Sequence, residues 1–207
     1  PRLLLICNPN NPTGTRLSPE QIIEMAASAP DTLVVVDELY AAFTGDSVLP
    51  LVDFTATPNL LVLQSLSKTA GLAGLRIGFA VGHAAVVDRV GRVTGPYDVN
   101  SVAVAAAFAA LADQSYVDAY VAEVLRARDW TVDALQQAGV RHHCDGGNYL
   151  LIWPRQPVAA VDAALRGEGI LIRSMAGKPL IDGCFRVSIG TTSQMQRFVE
   201  AYLRLDP

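Results

Sequence analysis

Leu33-Val34-Val35-Val36-Asp37-Glu38-Leu39-Tyr40 is the stretch on which the fold turns. Its four leading residues are apolar and three are valine, the pattern of a buried strand in a parallel sheet. Asp37 then falls at the carboxyl end of that strand, where open α/β sheets place their ligand sites. Residues 2–7, 60–64 and 77–81 read as further strands beside the one at 32–37. A capping box marks the helix between the first two strands, with Ser18 at the N-cap, Pro19 at N1 and Gln21 at N3. Pro30 ends it.

Farther on, Val102–Ala112 is apolar nearly all round, which predicts a buried helix. Residues 116–138 predict a long amphipathic helix with Val117, Tyr120, Val121, Val124, Leu125 and Leu135 on its apolar side. It leads into a second, smaller domain with strands at Asn148–Trp153, Ile170–Ile172 and Phe185–Ile189. The closing helix is capped by Thr191 with Gln194 at N3 and turns Met195, Phe198, Val199, Tyr202 and Leu203 inward. The expected class is α/β: a large, mostly parallel-sheet domain over residues 1–118 and a small α/β domain over 119–207.

The chemistry lies in Ser65-Leu66-Ser67-Lys68-Thr69-Ala70-Gly71-Leu72-Ala73-Gly74-Leu75-Arg76-Ile77-Gly78. Lys68 stands between hydroxyl residues, a glycine-punctuated turn follows, and Arg76 comes eight residues on. An amine so placed can form a Schiff base while the hydroxyls and the guanidinium hold a phosphate. The plain alternative is a solvated lysine beside a turn. A P-loop is excluded, because its lysine follows the glycines and Lys68 precedes Gly71 and Gly74. Without that loop, the Asp37-Glu38 strand end carries no weight as a Walker B segment.

Asn8-Pro9-Asn10-Asn11-Pro12-Thr13-Gly14 follows the apolar run Leu3-Leu4-Leu5-Ile6. Its two X-Pro steps force the chain out of helix, and Gly14 permits a sharp turn. Taken alone, this is a strand-ending turn. Together, the asparagine, aspartate and lysine segments resemble, in kind and in order, those of the fold-type I pyridoxal-phosphate-dependent aminotransferases of class I/II, most closely the histidinol-phosphate branch.

That resemblance implies a cofactor, pyridoxal 5'-phosphate, and a role for each matching residue. Lys68 would hold the cofactor as a Schiff base and later shuttle the proton at the substrate's Cα. Asp37 would pair with the pyridine nitrogen and keep it protonated, so that the ring withdraws the electrons released at Cα. Asn11 and Tyr40 would bond the ring's phenolic oxygen, and Ser65, Ser67 and Arg76 would anchor the phosphate.

Phe185-Arg186-Val187-Ser188-Ile189-Gly190-Thr191 alternates as a strand should, and on its own Arg186 suits an exposed edge. The family resemblance makes it the arginine that forks onto the substrate α-carboxylate, a task for which planar guanidinium donors are suited. Arg173, after Ile170-Leu171-Ile172, matches an arginine that binds the substrate's polar end.

Composition suits a soluble enzyme of small molecules. The 207 residues carry a formal net charge of −4 and 51% hydrophobic residues, enough for a sizeable core and with no basic stripe for nucleic acid. The most apolar run, Val102–Ala112, is eleven residues long and too short to span a bilayer. Cys7, Cys144 and Cys184 are widely scattered, which argues against a disulfide framework. His142, His143, Cys144 and Asp145 are contiguous and would alternate faces if extended, so no metal site is expected. A cytoplasmic location is the default expectation.

Members of the family carry a whole further half before the asparagine motif. The chain therefore reads as the C-terminal portion of a longer enzyme, homodimeric when whole and inactive as this portion alone. The expected reaction moves an amino group from an amino compound, histidinol phosphate foremost, to a 2-oxo acid such as 2-oxoglutarate. Three alternatives stay open. One is a threonine-phosphate decarboxylase, against which Tyr40 weighs because that group often carries phenylalanine there. The others are a broader aromatic aminotransferase and a folded domain that binds no cofactor.

Overall fold

The computed structural model describes residues 2–206. They form two compact units, one of residues up to 11 with 15–120, the other of 12–14 with residues from 121 on.

The first unit is built on a four-stranded sheet in the order β1 (Leu3–Cys7), β2 (Leu33–Asp37), β3 (Leu60–Ser65) and β4 (Gly78–Gly82). The first three strands run parallel, and β4 lies antiparallel to β3. Register puts Leu4, Val34 and Leu60 in one row and Ile6, Val36 and Val62 in the next, all on one face. Onto that face α1 (Pro19–Ser28) turns Ile22 and Ala26. Val34, Val36, Leu60, Val62 and Ile22 are fully buried there, each contributing about 1.5–3 kcal/mol by the apolar area it hides. The capping box that starts α1 is present, with Gln21 N donating to Ser18 Oγ and Ser18 N to Gln21 Oε1. Alternation along the strands sends Cys7, Asp37, Leu63 and Ala80, one row in the ladder, to the other face.

After β4 come α2 (Ala84–Gly91) and α3 (Ser101–Ala112). The expectation that Val102–Ala112 is buried all round is not met. Ala103 and Ala107 are buried against Leu66 and Ile77, whereas Val102 is 66%, Phe108 72% and Leu111 56% exposed. The small residues face inward because they allow the closest approach. A helix apolar on every side has no moment to announce that choice.

A long helix, α4 (Gln114–Gln137), begins in the first unit and continues in the second, where Val124, Ala127, Thr131 and Leu135 are buried. The second unit's sheet runs in the order β5 (Arg141–His143), β6 (Tyr149–Trp153), β8 (Phe185–Ser188), β7 (Arg173–Ser174), antiparallel throughout. With α5 (Val158–Gly167) and α6 (Thr192–Leu205) it encloses a core in which Phe185 meets Phe198 and Tyr202 edge-on, at centroid distances of 6.4 and 5.7 Å. The strand expected at Ile170–Ile172 lies instead at Arg173–Ser174. Gly169, at φ +75, and the bond from Ile170 N to Leu165 O belong to the turn that closes α5, so pairing starts later. Gly14, at φ +79, also belongs to this unit, and a Cβ on it would come within 2.8 Å of the Gly146 backbone. Among the described residues, no helix is long and apolar enough to cross a membrane.

Candidate active site

In the first unit, the carboxyl ends of β2 and β3 and the start of β4 line a cavity of about 380 Å³ that includes Asp37, Leu39, Gln64, Ser65 and Gly78. Gly78 leaves room there, since a Cβ would come 2.9 Å from the carbonyl oxygen of Gln64. Asp37, half-buried, ends its strand and accepts a hydrogen bond from Leu39 N through Oδ1 at 3.0 Å. This Asx turn fixes the carboxylate's orientation and starts the bend that delivers Tyr40.

Tyr40 is buried, and its Oη accepts from Asn11 Nδ2 at 3.3 Å. Asn11 reaches it because Asn8 ties down the start of the loop after β1. Asn8 is buried, donating through Nδ2 to Leu17 O at 3.1 Å and accepting from Leu17 N through Oδ1 at 2.8 Å. Lys68 Nζ stands 5.7 Å from the centroid of the Tyr40 ring. Asn11, Tyr40 and Lys68, far apart in sequence, therefore meet.

The loop carrying Lys68 is moored by its apolar residues. Leu66 and Ile77 sink against Ala103 and Ala107 of α3, four residues apart and small enough to admit them. Asn100 caps that helix through Oδ1 to Ala103 N at 2.8 Å and donates from Nδ2 to Leu75 O at 3.2 Å. Ser65 Oγ lies 2.8 Å from Ser67 Oγ and accepts from Ser67 N at 3.1 Å, so the two hydroxyls form one polar group. Arg76 is exposed and holds a left-handed backbone, φ 55 and ψ 45, with Nη1 donating to Ala73 O at 3.1 Å. That conformation costs a non-glycine residue on the order of 1–3 kcal/mol, and such outliers cluster at ligand sites. Burial pushes the Cys7 thiol above its ordinary value, against the opposing pull of the Asn11 backbone.

Sequence reasoning passed over Glu38 and Gln64. Glu38 is 3% exposed, and its carboxylate accepts from Ser47 Oγ at 2.6 Å, Val48 N at 2.7 Å and Gln64 Nε2 at 2.9 Å. The available signal was an acidic residue directly after a buried strand, which must find donors.

In the second unit, Arg173 and Arg186 pair directly across the β7–β8 ladder and so share a face. The Arg186 guanidinium lies 5.3 Å from the centroid of the buried Tyr149 ring, and Arg173 is exposed. Like charges placed opposite each other destabilise a sheet, and an anion between them relieves that cost.

The family model for aminotransferase class I and II matches residues 1–201. The chain belongs to that family. Histidinol-phosphate aminotransferase 1 of Mannheimia succiniciproducens is 38% identical over 207 residues, an alignment covering 99% of this chain and 56% of that protein. Among solved structures, histidinol-phosphate aminotransferase from Sinorhizobium meliloti, in complex with pyridoxal-5'-phosphate, has a TM-score of 0.85 at 25% identity. The match covers 99% of this chain and 57% of that one. L-threonine-O-3-phosphate decarboxylase from Porphyromonas gingivalis has a TM-score of 0.83 at 27% identity, over 98% of this chain and 63% of that one. The chain spans about 57% of the length of the curated relatives it matches. Within this class I and II chain, Asn11, Asp37, Tyr40, Ser65, Ser67, Lys68 and Arg76 lie in the first unit, and Arg173 and Arg186 in the second.

Proposed function

We propose that the chain carries the lysine-bearing part of a pyridoxal-phosphate-dependent aminotransferase, with histidinol phosphate as amino donor and a 2-oxo acid such as 2-oxoglutarate as acceptor. The observation that carries this reading is the meeting of Asn11 and Tyr40 at 3.3 Å with Lys68 Nζ 5.7 Å from the same ring. The donor set fits the cofactor by its chemistry: a carboxylate for a ring nitrogen, a primary amine for an aldehyde, hydroxyls and a guanidinium for a phosphate. A cavity of about 380 Å³ opens beside Asp37 and Ser65.

When bound, pyridoxal phosphate supplies a ring that accepts the electrons released at a substrate carbon. Asp37, oriented by Leu39 N–H, holds the proton on the ring nitrogen. Asn11 Nδ2 and Tyr40 Oη donate to the ring oxygen. Ser65, Ser67 and Arg76 grip the phosphate. Lys68 Nζ would hold the cofactor through its aldehyde and would carry the proton at the substrate's Cα. Arg186 forks onto the α-carboxylate of the oxo acid. Histidinol phosphate carries a phosphate ester in place of that carboxylate, and the Arg186–Arg173 pair suits such an anion.

The likeness to the threonine-phosphate decarboxylase structure favours a second reading, loss of carbon dioxide from threonine phosphate. The two are separated by assaying the whole enzyme with each compound. Glutamate formed from histidinol phosphate and 2-oxoglutarate supports the first, and carbon dioxide released from threonine phosphate the second.

A further inference from the structure

We infer that Glu38 is a positioning residue, whose buried carboxylate bolts the Asp37–Tyr40 turn to the Ser65–Lys68 loop. The functional half of this inference rests on the cofactor reading proposed above.

Several bonds converge on this one residue. Oε1 accepts from Val48 N at 2.7 Å, and Oε2 from Ser47 Oγ at 2.6 Å and from Gln64 Nε2 at 2.9 Å. On the backbone, Glu38 N donates to Leu63 O at 2.9 Å and Glu38 O accepts from Ala41 N at 3.0 Å. Gln64 is the shared member, because it lines the cavity with Asp37 and Ser65 while giving its amide to Glu38. The carboxylate thus spans from the end of β2 to the end of β3 and to the loop at 47–48. The two segments that carry the proposed cofactor contacts are tied on either side of it.

A carboxylate is needed here for a countable reason. Three donors meet two oxygens, and an amide offers only one acceptor oxygen. The Val48 N–H is backbone and cannot turn away, so an amide at position 38 keeps that bond and turns its own NH₂ toward Ser47 and Gln64. The tie to β3 then breaks, or Gln64 flips and presents a different atom to the cavity. A strand end that needed only packing would be served by an apolar residue, because a buried carboxylate without donors is costly.

The test compares amide hydrogen exchange in the 207-residue chain and its Glu38→Gln variant. Exchange at Leu39, Ala41, Ser67 and Ala70 should quicken about tenfold or more, with β1 and α1 unchanged, as for a local opening. Equal quickening across β1 and α1 would reduce Glu38 to general stability and overturn the inference. Gln64→Leu removes the donor from β3 and is read in the same way if Glu38→Gln does not fold. Titration with pyridoxal phosphate supplies the second arm. Glu38→Gln should weaken binding about tenfold, but less than about twofold when Gln64→Leu is already present, since the tie to β3 passes through Gln64. The same loss in both backgrounds also overturns it. If the unmutated chain takes up no pyridoxal phosphate, the functional reading fails, and the exchange pattern still decides the tie.

Discussion

Tyr40→Phe removes a single oxygen and leaves the rest of the site in place. The ring is buried, its packing is retained, and Lys68 keeps the same aromatic face at 5.7 Å. In the cofactor-free chain the substitution deletes the bond from Asn11 Nδ2, a neutral donor on an exposed residue at 3.3 Å. Asn11 is exposed and water replaces that partner, so the stability change should stay near the low end of a hydrogen bond's net worth, about 0.5 kcal/mol. The cofactor-bound state differs. There Tyr40 Oη is proposed to donate to a charged ring oxygen, and such bonds are worth about 1.5–3 kcal/mol. At about 1.4 kcal/mol per tenfold, pyridoxal phosphate should bind roughly 10- to 150-fold more weakly. Thermal unfolding without cofactor and a cofactor titration measure the two quantities separately. A variant that unfolds early and binds normally would refute the reasoning, because Tyr40 would then be a core residue only.

The other expectations are shorter. Arg186→Lys keeps the charge and loses the fork, so kcat/KM of the whole enzyme should fall for both substrates by about 1.5–3 kcal/mol of transition-state binding. Equal efficiency with lysine would leave Arg186 as a source of long-range charge. Glu123 is held down to about 2, first by the Thr192 backbone N–H and then by Arg126 and the Thr192 hydroxyl. A lowered folded-state pKa stabilises above the ordinary carboxylate value of 4.5, and the stabilisation is lost as pH falls from there toward about 2. Glu123→Gln should therefore flatten the acid limb of the thermal midpoint, and an unchanged slope would contradict the assignment. The exposed Phe108 and Leu111 of α3 should make the chain associate in solution, and Phe108→Glu should lower the mass measured by light scattering.

Much of the first unit was legible because its signals are local. The valine run at 34–36 is continuous, and the Ser18-Pro19-Gln21 cap sits within one turn, so β2 and α1 could be read without the fold. α5, α2 and β5 were missed for want of such signals: α5 has Pro157 at its N-cap and no side-chain cap bond, α2 has eight residues and β5 three. The inward face of α3 was illegible because alanine, valine and phenylalanine are all apolar; only the space beside Leu66 and Ile77 selects Ala103 and Ala107. In the site, the residue types of Asn11, Asp37, Tyr40 and Lys68 were informative one by one. Their meeting depends on the parallel register of β1, β2 and β3. The Glu38–Gln64 bond joins residues 26 apart in sequence and exists only once β2 and β3 are side by side.

The central claim is that Lys68 is the amine that takes the cofactor, and the sequence supplies its own control. The chain contains two lysines, Lys68 and Lys178. Lys68 is half-buried beside Tyr40, and Lys178 is exposed in the second unit. Treating the chain with pyridoxal phosphate, reducing with borohydride and mapping the modified peptide by mass spectrometry reads the two against each other. Modification concentrated on Lys68, and absent from an Lys68→Ala variant that keeps its circular dichroism, is the expected result. Modification at Lys178 alone, or equal modification of both lysines, would contradict the assignment of Lys68.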